Sequence, residues 1–232
     1  MLPIRDHERS ERFPFVTIGI IALNAWVFFQ ELTAPSLERF IEQWALIPAL
    51  VDFSNLSSLL PFLTSQFLHA GIAHILFNMW YLWIFGDNVE SHLGHIRFLL
   101  FYLAAGVVAG LVQFFFLVGS PIPMLGASGA VAGVLGAYWV LFPRHRVDTL
   151  VPGFFTTATL PASIVLLFWF IGQLFSGIGS LGVGSAATGG VAWWAHIGGF
   201  VFGWLTAQLA RRTLRHDHPP HAHSAENIDI WK

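Results

Sequence analysis

Six stretches of this chain are long and apolar enough to cross a bilayer, and nothing else in the sequence limits the fold as much. They cover residues 13–32, 62–85, 98–118, 125–142, 154–178 and 191–209. A bilayer core is about 30 Å thick and takes roughly 20 consecutive apolar residues as helix. Composition agrees. The chain is 55% hydrophobic and 10% charged, where a soluble domain carries about 25% charged residues. The expected fold is therefore an all-α membrane protein with six transmembrane helices. Residues 33–60 carry Trp44, Pro48, Asp52 and a Ser/Asn run, and are too polar to span. They read as a long loop with short helices at the interface, between the first and second spans. The domain expectation follows: a cytoplasmic segment 1–12, a six-span domain 13–212 and a disordered cytoplasmic tail 213–232.

Charge sets the orientation. With the N-terminus in the cytoplasm and spans alternating, Arg5, Arg9, Arg12, Arg97, Arg144, Arg146, Arg211, Arg212, Arg215 and Lys232 fall inside. Only Arg39 falls outside, so ten of the 11 Lys/Arg residues obey the positive-inside rule. Both termini are then cytoplasmic. The first dozen residues mix both charge signs, unlike a cleavable signal or a transit peptide. Cysteine is absent, which excludes disulfides and thiolate metal sites. A net charge of −2 with no basic, aromatic-rich patch gives no reason to expect a nucleic-acid partner.

The topology also sets depth. Spans two, four and six all run from outside to inside. Ser128, in Gly126-Ala127-Ser128-Gly129, is expected about one turn into span four, and His196 at a similar depth in span six. Polar side chains inside a membrane are costly and mark functional sites by default. Serine beside histidine is the smallest set that runs nucleophilic acyl transfer, with Ser128 as nucleophile and His196 as base. Glycines at Gly126, Gly129, Gly133 and Gly136, and at Gly199 and Gly203, let helix backbones approach closely. On glycine content alone, ordinary small-residue packing explains Ser128 equally well; a histidine at matching depth favours chemistry.

His74 and Asn78 are four apart on span two and share a helix face. Both can donate to an oxyanion, with the Ser128 backbone N–H as a third donor and Gly126 beside them. The alternative is a polar pair that joins span two to its neighbours. His69 points elsewhere and reads as structural. Glu90 is either bonded to backbone groups in the inner half-loop or solvated. No carboxylate lies at the depth of His196, so the set is a dyad whose histidine is oriented by packing.

With these residues in view, the chain resembles the rhomboid family of intramembrane serine proteases. The resemblance runs from about residue 13 to residue 203. It rests on His69, His74 and Asn78 at the family's spacing, on Gly126-Ala127-Ser128-Gly129 as its GxSG, and on Ala195-His196-Ile197-Gly198-Gly199 with Gly203 as its AHxxG…G. It implies Ser128 and His196 as catalytic, and His74, Asn78, Ser128 and Gly126 at the oxyanion. His69, Glu90, Gly129, Gly199 and Gly203 are implied to be structural. It further implies cleavage of other proteins' transmembrane segments near their outer ends, without metal or cofactor. One departure is plain. Many members carry a Trp-Arg pair before span two, where this chain has Leu59-Leu60-Pro61-Phe62.

The expected substrate path lies between spans two and five, with water entering from the outer side near Ser120, Ser180, Ser185 and Thr188. The expected partners are transmembrane substrates and membrane lipids, and no sequence feature sets an oligomeric state. A bacterial plasma membrane is the expected location. Two other readings compete with this one. His74 and His196 as haem ligands would leave Ser128 and Asn78 unexplained, and a non-catalytic protein on the same fold is separated only by activity. In the tail, His216, His218, His221 and His223 read as solvated chain rather than a metal site.

Overall fold

The computed structural model describes residues 2–8, 10–151, 156–183 and 191–217. In chain order the elements are β1 (Leu2–Asp6), α1 (Phe15–Thr33), α2 (Leu37–Trp44), α3 (Leu56–Leu59), α4 (Pro61–Thr64), α5 (Ile72–Leu93), α6 (His95–Phe116), α7 (Ser128–Leu141), β2 (Arg146–Val151), β3 (Thr156–Pro161), α8 (Ala162–Val183) and α9 (Trp193–Asp217). Single 3-10 turns at Pro48–Leu50 and Ser65–Phe67 complete the segment between α1 and α5.

Among the described residues, three helices are long and apolar enough to cross a membrane: α1, α6 and the Ala162–Leu181 part of α8. Leu56–Phe67 and α5 meet the same measure together, across a bend of 80°. The protein is thus a mostly helical membrane protein. α7, with 14 residues, reaches only about 21 Å. It is the centre of the molecule, with every residue from Gly129 to Tyr138 buried. Around it lie the fully buried side chains of Phe85, Tyr102, Leu166 and Phe200.

Small residues explain how α7 can be so enclosed. A Cβ on Gly133 would press on Ala105 of α6, one on Gly136 on the Phe200 carbonyl, and one on Gly203 on the Gly133 carbonyl. Lipid tails are as apolar as leucine, so close van der Waals packing rather than hydrophobic exclusion joins such helices. The turn between α5 and α6 is Gly94 at φ 81°, a conformation that glycine adopts without a Cβ penalty.

Four expectations change. The second apolar stretch is not one helix: it breaks at residues 68–71, where the Glu31 carboxylate takes the His69 backbone N–H at 3.0 Å, a donor left without a helical partner. The fifth begins at Ala162 rather than 154, because Thr156–Pro161 is a strand; β-branched threonines suit a strand. The all-α expectation misses a sheet of order β1-β2-β3, antiparallel throughout. The tail drawn from residue 213 begins as helix, since α9 continues to Asp217. His218, His221, His223, Ser185 and Thr188 lie outside the described residues.

The sheet ties the N-terminal strand to the helices. Asp148 of β2 pairs with Arg5 at 3.2 Å and with His7 at 2.7 Å. The buried Asp6 carboxylate accepts from the Tyr138 hydroxyl of α7, and from Asn88 of α5 at 2.9 Å. Trp80 of α5 donates its indole N–H to the Pro3 carbonyl at 2.8 Å.

Candidate active site

Ser128 is the first residue of α7, not a residue one turn inside it. Gly126, at φ 127°, cannot belong to a right-handed helix, and Met124 is held in an extended bridge with Leu46. The Gly126 N–H donates to the Ser65 carbonyl at 2.9 Å. The segment between α1 and α5 therefore fixes the loop that delivers Ser128. As first residue of its helix, Ser128 presents a backbone N–H that has no partner within the helix.

His196 lies in the first turn of α9. Its Nε2 is 2.7 Å from Ser128 Oγ, a short hydrogen bond between two half-buried residues. The approach depends on glycine: a Cβ on Gly199 would press on the Gly129 carbonyl, and one on Gly129 on Ala109.

His74 sits in the first turn of α5 and accepts the Ala70 N–H on Nδ1 at 3.3 Å. A neutral ring that accepts on Nδ1 carries its proton on Nε2. That edge faces Gly126, where an added Cβ would lie 2.7 Å from Cε1 and 2.8 Å from Nε2 of His74. The same point is 3.8 Å from Asn78 Nδ2. That nitrogen is buried and has no hydrogen-bond partner among the described residues. Donors from His74 and Asn78 thus converge two residues before Ser128. A cavity of about 570 Å³ is lined by His74, Ser128, His196, Gln113, Met124 and Leu125 among others.

His69 is buried, with its ring edge-on to that of His74 at 5.1 Å between centroids. Glu90 is fully buried, and of its two readings it is bonded. Its carboxylate accepts from the Val16 N–H at 2.8 Å and the Thr17 N–H at 2.7 Å, and from the Thr17 hydroxyl at 2.7 Å. Those donors open α1, which has no side-chain cap of its own, so α5 supplies the cap.

Sequence reasoning passed over two amides. Gln113 of α6 accepts the Ala195 N–H at 2.9 Å, capping the start of α9. Gln173 of α8 lies 2.7 Å, through Oε1, from His196 Nδ1. Each is a strongly polar side chain within an apolar span, a signal that marks function by default.

Residues 56–213 match the family model described as Rhomboid domain. The chain belongs to the rhomboid family. The match runs from α3 into α9 and takes in Ser128, His196, His74 and Asn78. Similar proteins include the rhomboid protease GluP of Bacillus subtilis (strain 168), 37% identical over 145 residues, which are 62% of this chain and 25% of that protein. The mitochondrial presenilin-associated rhomboid-like protein of Homo sapiens is 36% identical over 141 residues, 60% of this chain and 36% of that one. Rhomboid protein 1, mitochondrial, of Saccharomyces cerevisiae (strain ATCC 204508 / S288c) is 27% identical over 150 residues, 62% of this chain and 40% of that one. The chain spans well under half the length of these relatives.

Proposed function

We propose that the chain is an intramembrane serine endopeptidase that cleaves transmembrane segments of other membrane proteins near their outer ends. The 2.7 Å bond between Ser128 Oγ and His196 Nε2 carries the reading. Ser128 Oγ attacks the scissile carbonyl carbon and its proton passes to His196 Nε2. The oxyanion meets the Ser128 N–H, the His74 Nε2–H and the Asn78 amide beside Gly126. Preorganised donors of this kind are worth about 2.7–4 kcal/mol each in comparable sites. Collapse breaks the C–N bond, and the leaving amine takes the proton from His196. Water then attacks the acyl-serine, gives its proton to His196, and Ser128 recovers it as the acid departs. The sequence needs neither metal nor cofactor.

The topology that serves this chemistry has six spans, with α7 and α9 as the fourth and sixth and both termini in the cytoplasm. The segment between α1 and α5 is then a long interfacial loop, residues 13–212 are the protease domain, and substrate enters between α5 and α8. Ten of the 11 Lys/Arg residues on one side support that orientation. Its partners are transmembrane substrates and the surrounding lipid. The relatives named above include mitochondrial proteins, so the expected bacterial plasma membrane has no support from them.

The test is cleavage of a single-span reporter by detergent-purified protein, wild type beside Ser128→Ala, with a chelator throughout. Cleavage by the wild type alone is the expected result. Cleavage retained in Ser128→Ala overturns the proposal.

A further inference from the structure

The dyad reading leaves one part unexplained: what keeps the imidazole of His196 in the state a base requires. A general base at Nε2 needs a lone pair there, so the ring proton must sit on Nδ1. In serine-protease triads a carboxylate does this, and its replacement by an amide that imposes the wrong tautomer costs about 10⁴ in kcat. No carboxylate bonds His196 among the described residues. Its Nδ1 instead meets the side-chain oxygen of Gln173 at 2.7 Å.

The other end of that amide agrees with this orientation. Gln173 Nε2 donates to the Trp169 carbonyl one turn back on α8, at 3.4 Å. With the nitrogen committed to a carbonyl, the oxygen is the atom that faces His196. An amide oxygen only accepts, so Nδ1 must donate. The proton is held on Nδ1 and the Nε2 lone pair faces the Ser128 hydroxyl. Aromatic rings complete the seat, with Trp169 and Trp193 each 6.1 Å from the imidazole between centroids, at 35° and 87°. The rings limit where the imidazole lies; the amide alone chooses its tautomer.

The location of Gln173 also asks for a reason. α8 is one of the helices apolar enough to cross a membrane, and its outer face is open, with Phe168 55% and Phe175 75% exposed. An amide in such a helix costs free energy unless it is satisfied. Here both ends are satisfied, one locally and one on the imidazole.

We propose that Gln173 is the positioning residue of this site, and that its amide oxygen holds His196 in the Nδ1–H tautomer so that Nε2 serves as base to Ser128. The proposal rests on the reading of Ser128 and His196 as nucleophile and base. It makes the relay three residues long, Ser128–His196–Gln173, drawn from α7, α9 and α8. A neutral amide also stabilises the imidazolium less than a carboxylate does, because it brings a dipole rather than a full opposite charge.

The experiment compares kcat and KM for reporter cleavage by the wild type, Gln173→Leu, Gln173→Glu and Ser128→Ala. Leucine fills similar space without an acceptor; glutamate, protonated or not, restores an oxygen at the same reach. Gln173→Leu should lose about 10- to 100-fold in kcat, with KM changed less than about twofold. Gln173→Glu should recover most of the loss. Imidazole nitrogen NMR on ¹⁵N-histidine protein, assigned with His196→Gln, should show Nδ1–H at His196 in the wild type and Gln173→Glu, and mixed tautomers in Gln173→Leu. That readout is independent of turnover. Gln173→Leu with wild-type kcat, or an Nε2–H ring in the wild type, overturns the proposal. So does equal loss in the Leu and Glu variants when their melting matches the wild type. If Ser128→Ala still cleaves, the dyad reading fails first; if only Ser128→Ala is dead, the positioning role fails alone.

Discussion

Gly199→Ala tests whether glycine contact between α7 and α9 sets the reacting distance. A Cβ at Gly199 would press on the Gly129 carbonyl oxygen and lie 3.0 Å from its carbon, where ordinary contact begins at 3.4 Å. The opposing atoms are backbone, so no rotamer change relieves the overlap. α9 must move outward locally by on the order of 1 Å, and overpacking of this kind costs about 1–3 kcal/mol. Gly199 is one turn from His196, and Gly129 adjoins Ser128, so the shift reaches the pair almost undiluted. A bond of 2.7 Å becomes a gap beyond hydrogen-bond range. Misplacement by 1 Å costs about 10² in rate, or about 2.7 kcal/mol of barrier. Gly19→Ala on α1 is the control, since nothing lies within 4 Å of its Cβ position; alanine there should be neutral or slightly stabilising. The assays are reporter cleavage and thermal unfolding in one detergent. Wild-type kcat with wild-type melting in Gly199→Ala would refute the argument, because the contact would then have slack.

Two further outcomes follow from the cap and the sheet. Glu90→Leu removes the acceptor of the Val16 and Thr17 N–H groups and should destabilise the protein by roughly 2–6 kcal/mol in detergent unfolding, at about 1–3 kcal/mol for each buried donor left unpaired; Glu90→Gln, which keeps one oxygen, should lose less, and equal losses would contradict the cap. In the sheet, the Thr159 hydroxyl and the His7 ring hold the Asp148 carboxyl down to about 2, against about 3.9 in an unfolded chain. A lowered folded pKa stabilises above the unfolded value and is lost as pH falls through the folded one, so docking of β1 should hold to about pH 4 and loosen toward pH 2. Hydrogen exchange at residues 2–6, corrected for intrinsic rates, measures it, and the same acid dependence in Asp148→Asn would exclude Asp148 as the cause.

The parts of this molecule that could be read from sequence are those governed by depth. Apolar run length and the placement of arginines give the expected direction of each helix, and that expectation alone groups Ser128, His196, His74 and Asn78 at one depth. Depth says nothing about rotation. Whether Gln173 faces lipid or His196 depends on how α8 turns against α9, which its nearly all-apolar sequence does not encode in any periodic pattern. The strand at Leu2–Asp6 was hidden for a different reason: its partner on β2 lies more than 140 residues away, as in the Arg5–Asp148 pair with a separation of 143. Five residues with no alternating pattern of their own become a strand only because β2 is there to pair with them. The same pairing explains the misjudged start of α8, since Thr156–Pro161 passes for the end of an apolar span until β2 claims its backbone. Sequence thus pointed to Ser128 and His196, and tertiary structure added the Gln173 amide on the second imidazole nitrogen.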